Sequence, residues 1–306
     1  MKYHLNTPVI FVIFNRPETT ERVFETIREA KPKKLLVIAD APRATHPDDI
    51  ERCAAARAII NRVDWECEVL TNYADVNLGI GKRPATGFDW AFTLVEEAII
   101  LEDDCLPHPT FFRYCEELLD RYRHDLRIMS ISGQNVQFGQ SRTPYSYYFS
   151  RYHHIWGWAT WRRAWQHFDI EMKLWPEAKQ QNLLAGILDT PKAFKSWTHT
   201  FQQTYEGILP TWDYRFTFAC WMQNGLGILS DINLVSNIGH GMAATHTTDA
   251  DSPYSNTPIY PMQFPLKHPP CVVRNQEADA FTENTLFDYN PSIIKRVKRK
   301  VRKVLS

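Results

Sequence analysis

The segment "AIILEDDCLPH" (residues 98–108) sets Glu102, Asp103 and Asp104 directly behind an apolar run of Ala98, Ile99, Ile100 and Leu101. Adjacent carboxylates repel one another and are costly to desolvate, so a buried strand that ends in them calls for a compensating positive charge. Oxygen ligands, with no C-x-x-C pair and no H-x-x-x-H in the chain nearby, suit a hard divalent cation such as Mg2+ or Mn2+. Such an ion offsets the repulsion and lowers the carboxylate pKa values. A purely structural reading of the same residues is that Asp103 or Asp104 caps a helix beginning near Pro109 while the others are solvated.

Other chemistry-bearing residues also fall at the ends of apolar runs. Arg16 lies in "FNRP" after the first run, and Asp40 in "ADAPR" after the second. "NLGIGK" (residues 77–82) holds a G-x-G without the third glycine of a dinucleotide fingerprint, so it reads as a turn and helix start from which Lys82 or Arg83 reaches a diphosphate. In "YHHIWGWATWRRAW" the faces of Trp156, Trp158 and Trp161 suit the apolar side of a pyranose, although aromatics at such spacing also build cores. Gly157 lets backbone approach a ligand closely because it has no Cβ. His153 and His154, beside tyrosines, read as ordinary loop or core histidines.

The elements that must carry these residues alternate through the first 135 positions. Residues 8–14 read as a strand, and 17–30 as a helix opened by Pro17 with apolar positions at Val23, Phe24 and Ile27. Residues 33–40 and 66–72 are further strands around a helix at 48–63. "NLGIGKRPATGFDWAFTLV" gives a turn and helix, "EEAIILEDD" the fourth strand, "PTFFRYCEELLDRYRHD" a helix and "RIMSISGQN" the fifth strand. Continuous apolar strands separated by helices predict an α/β fold with a mostly parallel sheet covered by helices on both faces. In such sheets ligands bind beyond the carboxyl ends of the strands, where the polar residues above lie. From about residue 140 aromatics, glycine and histidine crowd the chain. With neither a repeat nor a flexible linker in evidence, the expected unit is one catalytic domain over 1–290, with a nucleotide lobe at 1–135 and an acceptor lobe at 136–290.

Composition excludes several classes. At 306 residues, 44% apolar and 23% charged, the chain supports a sizeable core and is not a disordered protein. The N-terminal apolar run is too short for a signal-peptide core or for a spanning helix of roughly 20 residues, and it reads as the first strand. Six dispersed cysteines without a close pair argue against a zinc cluster or a disulfide framework and fit a reducing cytoplasm. Net charge is zero, but residues 291–306 hold seven Lys or Arg and no acid, leaving 28 basic against 35 acidic residues elsewhere. In that tail Ile294, Val297, Val301 and Val304 recur at helical spacing between the cations. This is the pattern of a basic amphipathic helix lying through residues 293–305 on the inner, anionic face of the cytoplasmic membrane. A solvated, frayed terminus is the plainer alternative. No other basic patch interleaved with aromatics supports nucleic-acid binding.

"IILEDDCLPHPTFF" resembles the metal-binding segment of GT-A glycosyltransferases, most closely the Glu-Asp-Asp variant of the N-acetylglucosaminyltransferase I-like families. The resemblance spans roughly residues 8–135. It implies that Asp104 coordinates Mn2+ on a sugar-nucleotide diphosphate, that Glu102 and Asp103 contact ribose and donor sugar, that Asp40 takes the nucleotide base, and that Arg16 meets the nucleotide at the first strand. More weakly, "YHHIWGWATWRRAW" is similar to the glycine-tryptophan stretch lining the acceptor site, with Trp156, Gly157 and Trp158 as acceptor contacts. "TWDYRFTFACWMQNGLGILSDINLVSNIGHGMAATHT" is similar to a region with a Trp-Asp step, a helix and a late glycine/histidine loop. That likeness implies Asp213 as general base, with helix capping as its structural alternative, and His240 or preferably His246 as a diphosphate or metal contact.

The implied reaction makes sense of these residue types. Displacing a nucleoside diphosphate from an anomeric carbon builds negative charge that a divalent cation stabilises, and the acceptor hydroxyl must lose its proton to a carboxylate on the other side of the sugar. A single base and in-line attack imply inversion. The expectation is therefore a metal-dependent inverting glycosyltransferase, a hexosyl- or N-acetylhexosaminyltransferase. It takes a nucleotide-sugar, a UDP-sugar first, to a glycan or glycolipid acceptor in surface polysaccharide synthesis. The alternatives are a sugar nucleotidyltransferase, whose glycine- and lysine-rich loop after the first strand is replaced here by "NRPETT", and a non-catalytic carbohydrate-binding protein on the same fold.

Overall fold

The computed structural model describes residues 4–239 and 254–287, so His240, His246 and the basic tail lie outside the described residues. The first apolar run forms β1 (Val9–Ile13), and Pro17 opens α1 (Pro17–Ala30) as expected. There follow β2 (Lys34–Ala39), α2 (Asp48–Ile59), β3 (Glu68–Tyr73), α3 (Gly79–Leu94) and β4 (Glu97–Glu102). A short strand β5 (Cys105–Pro107), α4 (Thr110–Tyr122) and β6 (Ile128–Ser132) complete the alternating half. The second half adds β7 (Tyr147–Ser150), β8 (Trp158–Trp161), α5 (Arg162–Trp165), α6 (Trp175–Gln180), α7 (Pro191–Tyr205), α8 (Asp213–Met222), β9 (Leu226–Ser230), β10 (Val235–Asn237) and α9 (Gln276–Thr282).

The main sheet has the order β3-β2-β1-β4-β8-β6-β9-β7. Its β3-β2-β1-β4 portion is parallel, as is the β6–β9 pair, while β8 runs antiparallel to both β4 and β6 and β7 antiparallel to β9. This is the α/β architecture expected from the sequence. Chain order reverses direction between β1 and β4, which creates the crevice where open α/β sheets take ligands.

Because side chains alternate along a strand, each apolar run feeds two cores. Val9, Phe11, Leu35, Val37, Ile99 and Leu101 pack under α1 and α4. Ile10, Leu36, Ile38, Ala98 and Ile100 pack under α3, with Trp158, Trp165, Trp212 and Phe216. Helix α3 lies so close to β2 that a Cβ on Gly87 would stand 2.5 Å from the Ile38 side chain. At the centre of this second core Phe88 makes edge-on contacts with Trp158, Trp165 and Trp212 at 5.9, 5.1 and 5.2 Å between ring centroids. Truncating a fully buried phenylalanine removes its contacts and leaves a cavity, so Phe88→Ala is expected to cost about 3–5 kcal/mol in chemical denaturation. A loss under about 1 kcal/mol would mean that the three indoles do not form one packed layer.

Two sequence expectations change here. Helix α4 begins after Pro109 with no side-chain cap, and Asp103 and Asp104 sit instead in the turn between β4 and β5, so they are not helix caps. The tryptophan-rich segment is partly a central strand, β8, which inserts between β4 and β6 with Ile100 opposite Trp158 and Glu97 opposite Trp161. Four buried residues are too short a run to show a period of two, and the partner strand lies about sixty positions upstream.

Candidate active site

A cavity of about 590 Å3 opens at the carboxyl ends of β1, β2 and β4 and is closed on its far side by the segment leading into α8. It brings together Arg16, Asp40, Arg83, Glu102, Asp103, Asp104, Trp156 and Asp213 from six separate segments of the sequence.

Parallel pairing of β1 with β4 sets Val12 opposite Glu102, so the turn after β1 faces the acids after β4. Asp103 accepts the backbone N–H of Phe14 at 2.9 Å, which ties the two strand ends together. The Arg16 guanidinium donates to Asp104 Oδ2 at 2.5 Å and stands 3.6 Å from Asp103 Oδ1. Burial works against the Arg16 charge, but Asp103 and Asp104 more than offset it and raise its pKa. The other oxygen of Asp104 faces the Cys105 thiol at 3.5 Å, and burial keeps that thiol protonated by pushing its pKa well up. Burial, and then the neighbouring carboxylates, lift Glu102 above the ordinary carboxylate range. Asp103 is lifted by burial as well, and Arg16 only partly counters the shift. One guanidinium thus stabilises this acid cluster, and a bound cation would favour the charged forms of Glu102 and Asp103 further.

On the β2 side, Asp40 is more engaged than its sequence reading implies. Its carboxylate accepts backbone N–H groups from Ala41, Leu78 and Gly79 at 2.8–2.9 Å, which fastens the start of α3 to the end of β2. These are charge-assisted bonds, so Asp40 acts first as a pin for this wall. Arg83 is likewise turned into the protein, donating to Ala39 O at 3.1 Å and Asn72 O at 2.5 Å while its stem lines the cavity. Lys82 is exposed and does not line the cavity, so the structure does not bring it to the other candidates.

Sequence reasoning missed Arg43 and Phe14. Arg43 forks onto Asp49 through Nε at 2.6 Å and Nη2 at 3.0 Å, and its guanidinium lies 5.5 Å from the centroid of Phe14. Asp49 is buried and also receives Asn15 Nδ2 at 2.6 Å. The Arg43 hydrogen bonds, ahead of all other causes, hold its pKa down at about 2. An aromatic face with a fixed guanidinium beside it makes a flat wall suited to a planar base. The polar strand end "ADAPR" was a signal for Arg43, but its partner Asp49 becomes visible only once the loop closes onto α2.

The facing wall is built from Ile155, Trp156 and residues 209–214. Asp213 is the first residue of α8, following Trp212 at the N-cap, and its Oδ1 accepts the hydroxyl of Thr211. Burial raises its pKa, and its charge is felt at Glu102 across the cavity. Half-buried Trp156 presents itself to the cavity, whereas two other expected acceptor contacts do not. Trp158 is fully buried, stacked on Trp212 with centroids 5.6 Å apart, and supports the wall from behind. Gly157 has φ +63° and its missing Cβ is replaced by Val235, 2.5 Å away, so it admits β10 rather than a ligand. His153 and His154 are core histidines as expected, with burial pressing their pKa values down to about 3 and 4.

Among the described residues no group of three or more His, Cys, Asp or Glu side chains is arranged to hold a metal ion unaided. The donor set nevertheless fits a hard cation that shares its coordination with a bound phosphate: Mg2+-type sites typically use one or two carboxylates and complete their shell with substrate oxygens. Asp104 already holds a cationic group on Oδ2, and the missing Cβ of Gly239 lets the backbone after β10 pass against that oxygen. The described residues contain no helix long and apolar enough to cross a membrane.

No family model matches the chain, and no curated protein matches it. Among solved structures it is similar to a UDP-glucose pyrophosphorylase complexed with UDP-glucose, with 14% identity and TM-score 0.29 over 48% of this chain, spanning 62% of that structure's length. It is similar to a mannosyltransferase from Pyrobaculum calidifontis in complex with GDP-Man and Mn2+, with 12% identity and TM-score 0.38 over 72% of this chain and 70% of the other. A UTP-bound UGPase from Acinetobacter baumannii is similar at 8% identity and TM-score 0.36, over 74% of this chain and 86% of that one.

Proposed function

We propose that the protein is a divalent-cation-dependent glycosyltransferase that moves a sugar, with inversion, from a nucleotide-sugar to a hydroxyl of a glycan or glycolipid. A UDP-sugar is the first candidate donor. The reading rests on one observation: a single cavity is lined both by the Glu102–Asp104 acids with Arg16 and by the raised-pKa carboxylate of Asp213.

In this reading the base lies against Phe14 and Arg43 beside the wall pinned by Asp40, and the diphosphate reaches towards Asp104. A divalent cation, Mn2+ or Mg2+, supplies Lewis-acid stabilisation of the departing phosphate when bound. Asp104 holds the cation, Glu102 and Asp103 orient the donor, and Trp156 offers a face to the acceptor sugar. Asp213, kept by burial at a pKa closer to neutral than an ordinary aspartate, takes the proton of the attacking hydroxyl. Its bond from Thr211 fixes the carboxylate's direction. The connection from β1 to α1 is only residues 14–16 and has no glycine, which favours this reading over a nucleotidyltransferase with a glycine- and lysine-rich loop there.

Calorimetry with UDP, GDP and other nucleotides, each with Mn2+ and with chelator, tests the donor site. The expected result is nucleotide binding that needs the cation and is strongest for UDP. Absence of binding for every nucleotide with Mn2+ present would leave a carbohydrate-binding protein as the better description.

A further inference from the structure

We infer that Arg16 is a two-position counter-ion, paired with Asp104 while no cation is bound and transferred to the nucleotide phosphates when a divalent cation takes Asp104. This rests on the donor-site reading above.

The geometry supplies both the conflict and the means to resolve it. Arg16 Nη1 sits on Asp104 Oδ2 at 2.5 Å, and both side chains are largely sheltered from water, at 15% and 12% exposure. A divalent cation and a guanidinium repel one another across one carboxylate oxygen, so a cation arriving at Oδ2 weakens the hold of Asp104 on Arg16. A second constraint comes from Gly239. Its backbone packs so tightly that a Cβ would press on Asp104 Oδ2 and lie 2.7 Å from Arg16 Nη1, and the displaced group cannot retreat that way.

The backbone of Arg16 is fixed while its side chain is long. Its carbonyl accepts the N–H and the hydroxyl of Thr20 at 2.9 and 2.7 Å as α1 begins, so the Cα is a stationary pivot. Arg16 also lines the cavity, and once Asp104 is taken a diphosphate there, with more charge and more acceptor oxygens than Asp103 at 3.6 Å, is the stronger partner. Cation and nucleotide therefore favour one another in two ways: through direct contact, and because each removes the partner that would otherwise hold Arg16 or Asp104. A site closed on itself binds either one alone less tightly, by the fraction of molecules in which the pair is open.

The test measures UDP binding by calorimetry in chelator for wild type, Asp104→Ala, Arg16→Gln and the double variant. Removing Asp104 takes away the nearest partner of Arg16 and leaves Asp103, at 3.6 Å, as the weaker competitor with phosphate, so D104A is expected to bind metal-free UDP about tenfold more tightly than wild type. The gain is expected to vanish when D104A is introduced into R16Q. Equal gains in both backgrounds would mean that only the repulsion between Asp104 and phosphate was relieved, and they would overturn the inference, as would no gain at all. If D104A fails to fold by circular dichroism, Asp104→Ser takes its place in the same cycle. Wild type that binds no UDP even with Mn2+ sinks the donor-site reading itself. Cation-dependent binding without an Arg16-dependent gain sinks only the exchange.

Discussion

Asp213→Asn is expected to lower turnover by about 100- to 10,000-fold while leaving nucleotide affinity within about twofold, the range that loss of a positioned general base produces. Asparagine keeps the volume and can still accept from Thr211, so the start of α8 and the wall behind it are preserved. What it loses is the ability to hold the acceptor's proton. Because burial raises the Asp213 pKa, kcat/KM of wild type should climb with pH through that raised value as the carboxylate ionises. That acid-side limb should be absent in the variant. Glu102 and Asp103 are also raised in the same cavity, so the test is loss of the wild-type limb, and a limb unchanged in the variant would count against Asp213 as the base. An unchanged turnover in Asp213→Asn would remove this residue from the chemistry and leave it a structural residue of the helix start.

Asp104→Ala is expected to abolish the cation dependence of nucleotide binding and to reduce kcat by about 1,000-fold or more. Lewis-acid stabilisation of a departing diphosphate is worth several kcal/mol, at about 1.4 kcal/mol per factor of ten. The readout that isolates this role is a Mn2+ titration in the presence of UDP, followed by the paramagnetic signal of the free ion. Wild type should deplete the free ion, and the variant should not. The variant's fold should survive, since the Asp104 side chain caps no helix and its backbone carbonyl still accepts the N–H of Ile238 at 2.8 Å. Undiminished Mn2+ uptake in Asp104→Ala would place the cation elsewhere.

The alternating half of the fold was legible because β1, β2 and β4 are apolar runs buried on both faces and helices such as α1 and α4 repeat their apolar residues near every fourth position. The acids fell at the end of β4 as read, since topology alone sends strand ends to one edge. What local pattern could not supply were pairings between distant segments. Trp158 looked available because four residues cannot declare a strand, yet β8 fills the gap between β4 and β6. Gly157 looked like a close approach to a ligand and proved to be one to Val235. Asp40 looked like a ligand contact, but its carboxylate is satisfied by backbone N–H groups nearly forty residues ahead. The flat wall at Phe14 stayed hidden because Arg43 is held by Asp49, a contact made only in three dimensions.

The position of β8 also bears on how the chain is made. During synthesis the parallel strands β3, β2, β1 and β4 emerge first, yet one edge of β4 has no partner until residues 158–161 arrive, and β6 waits until 226–230 for β9. Through that interval the nascent protein carries an open sheet edge of Ala98, Ile99 and Ile100, the kind of edge on which unfinished chains associate. The half that reads as a nucleotide lobe is therefore not expected to fold as a separate unit. A fragment ending near residue 135 should depend on chaperones and aggregate without them, and fusion or truncation boundaries belong beyond β9.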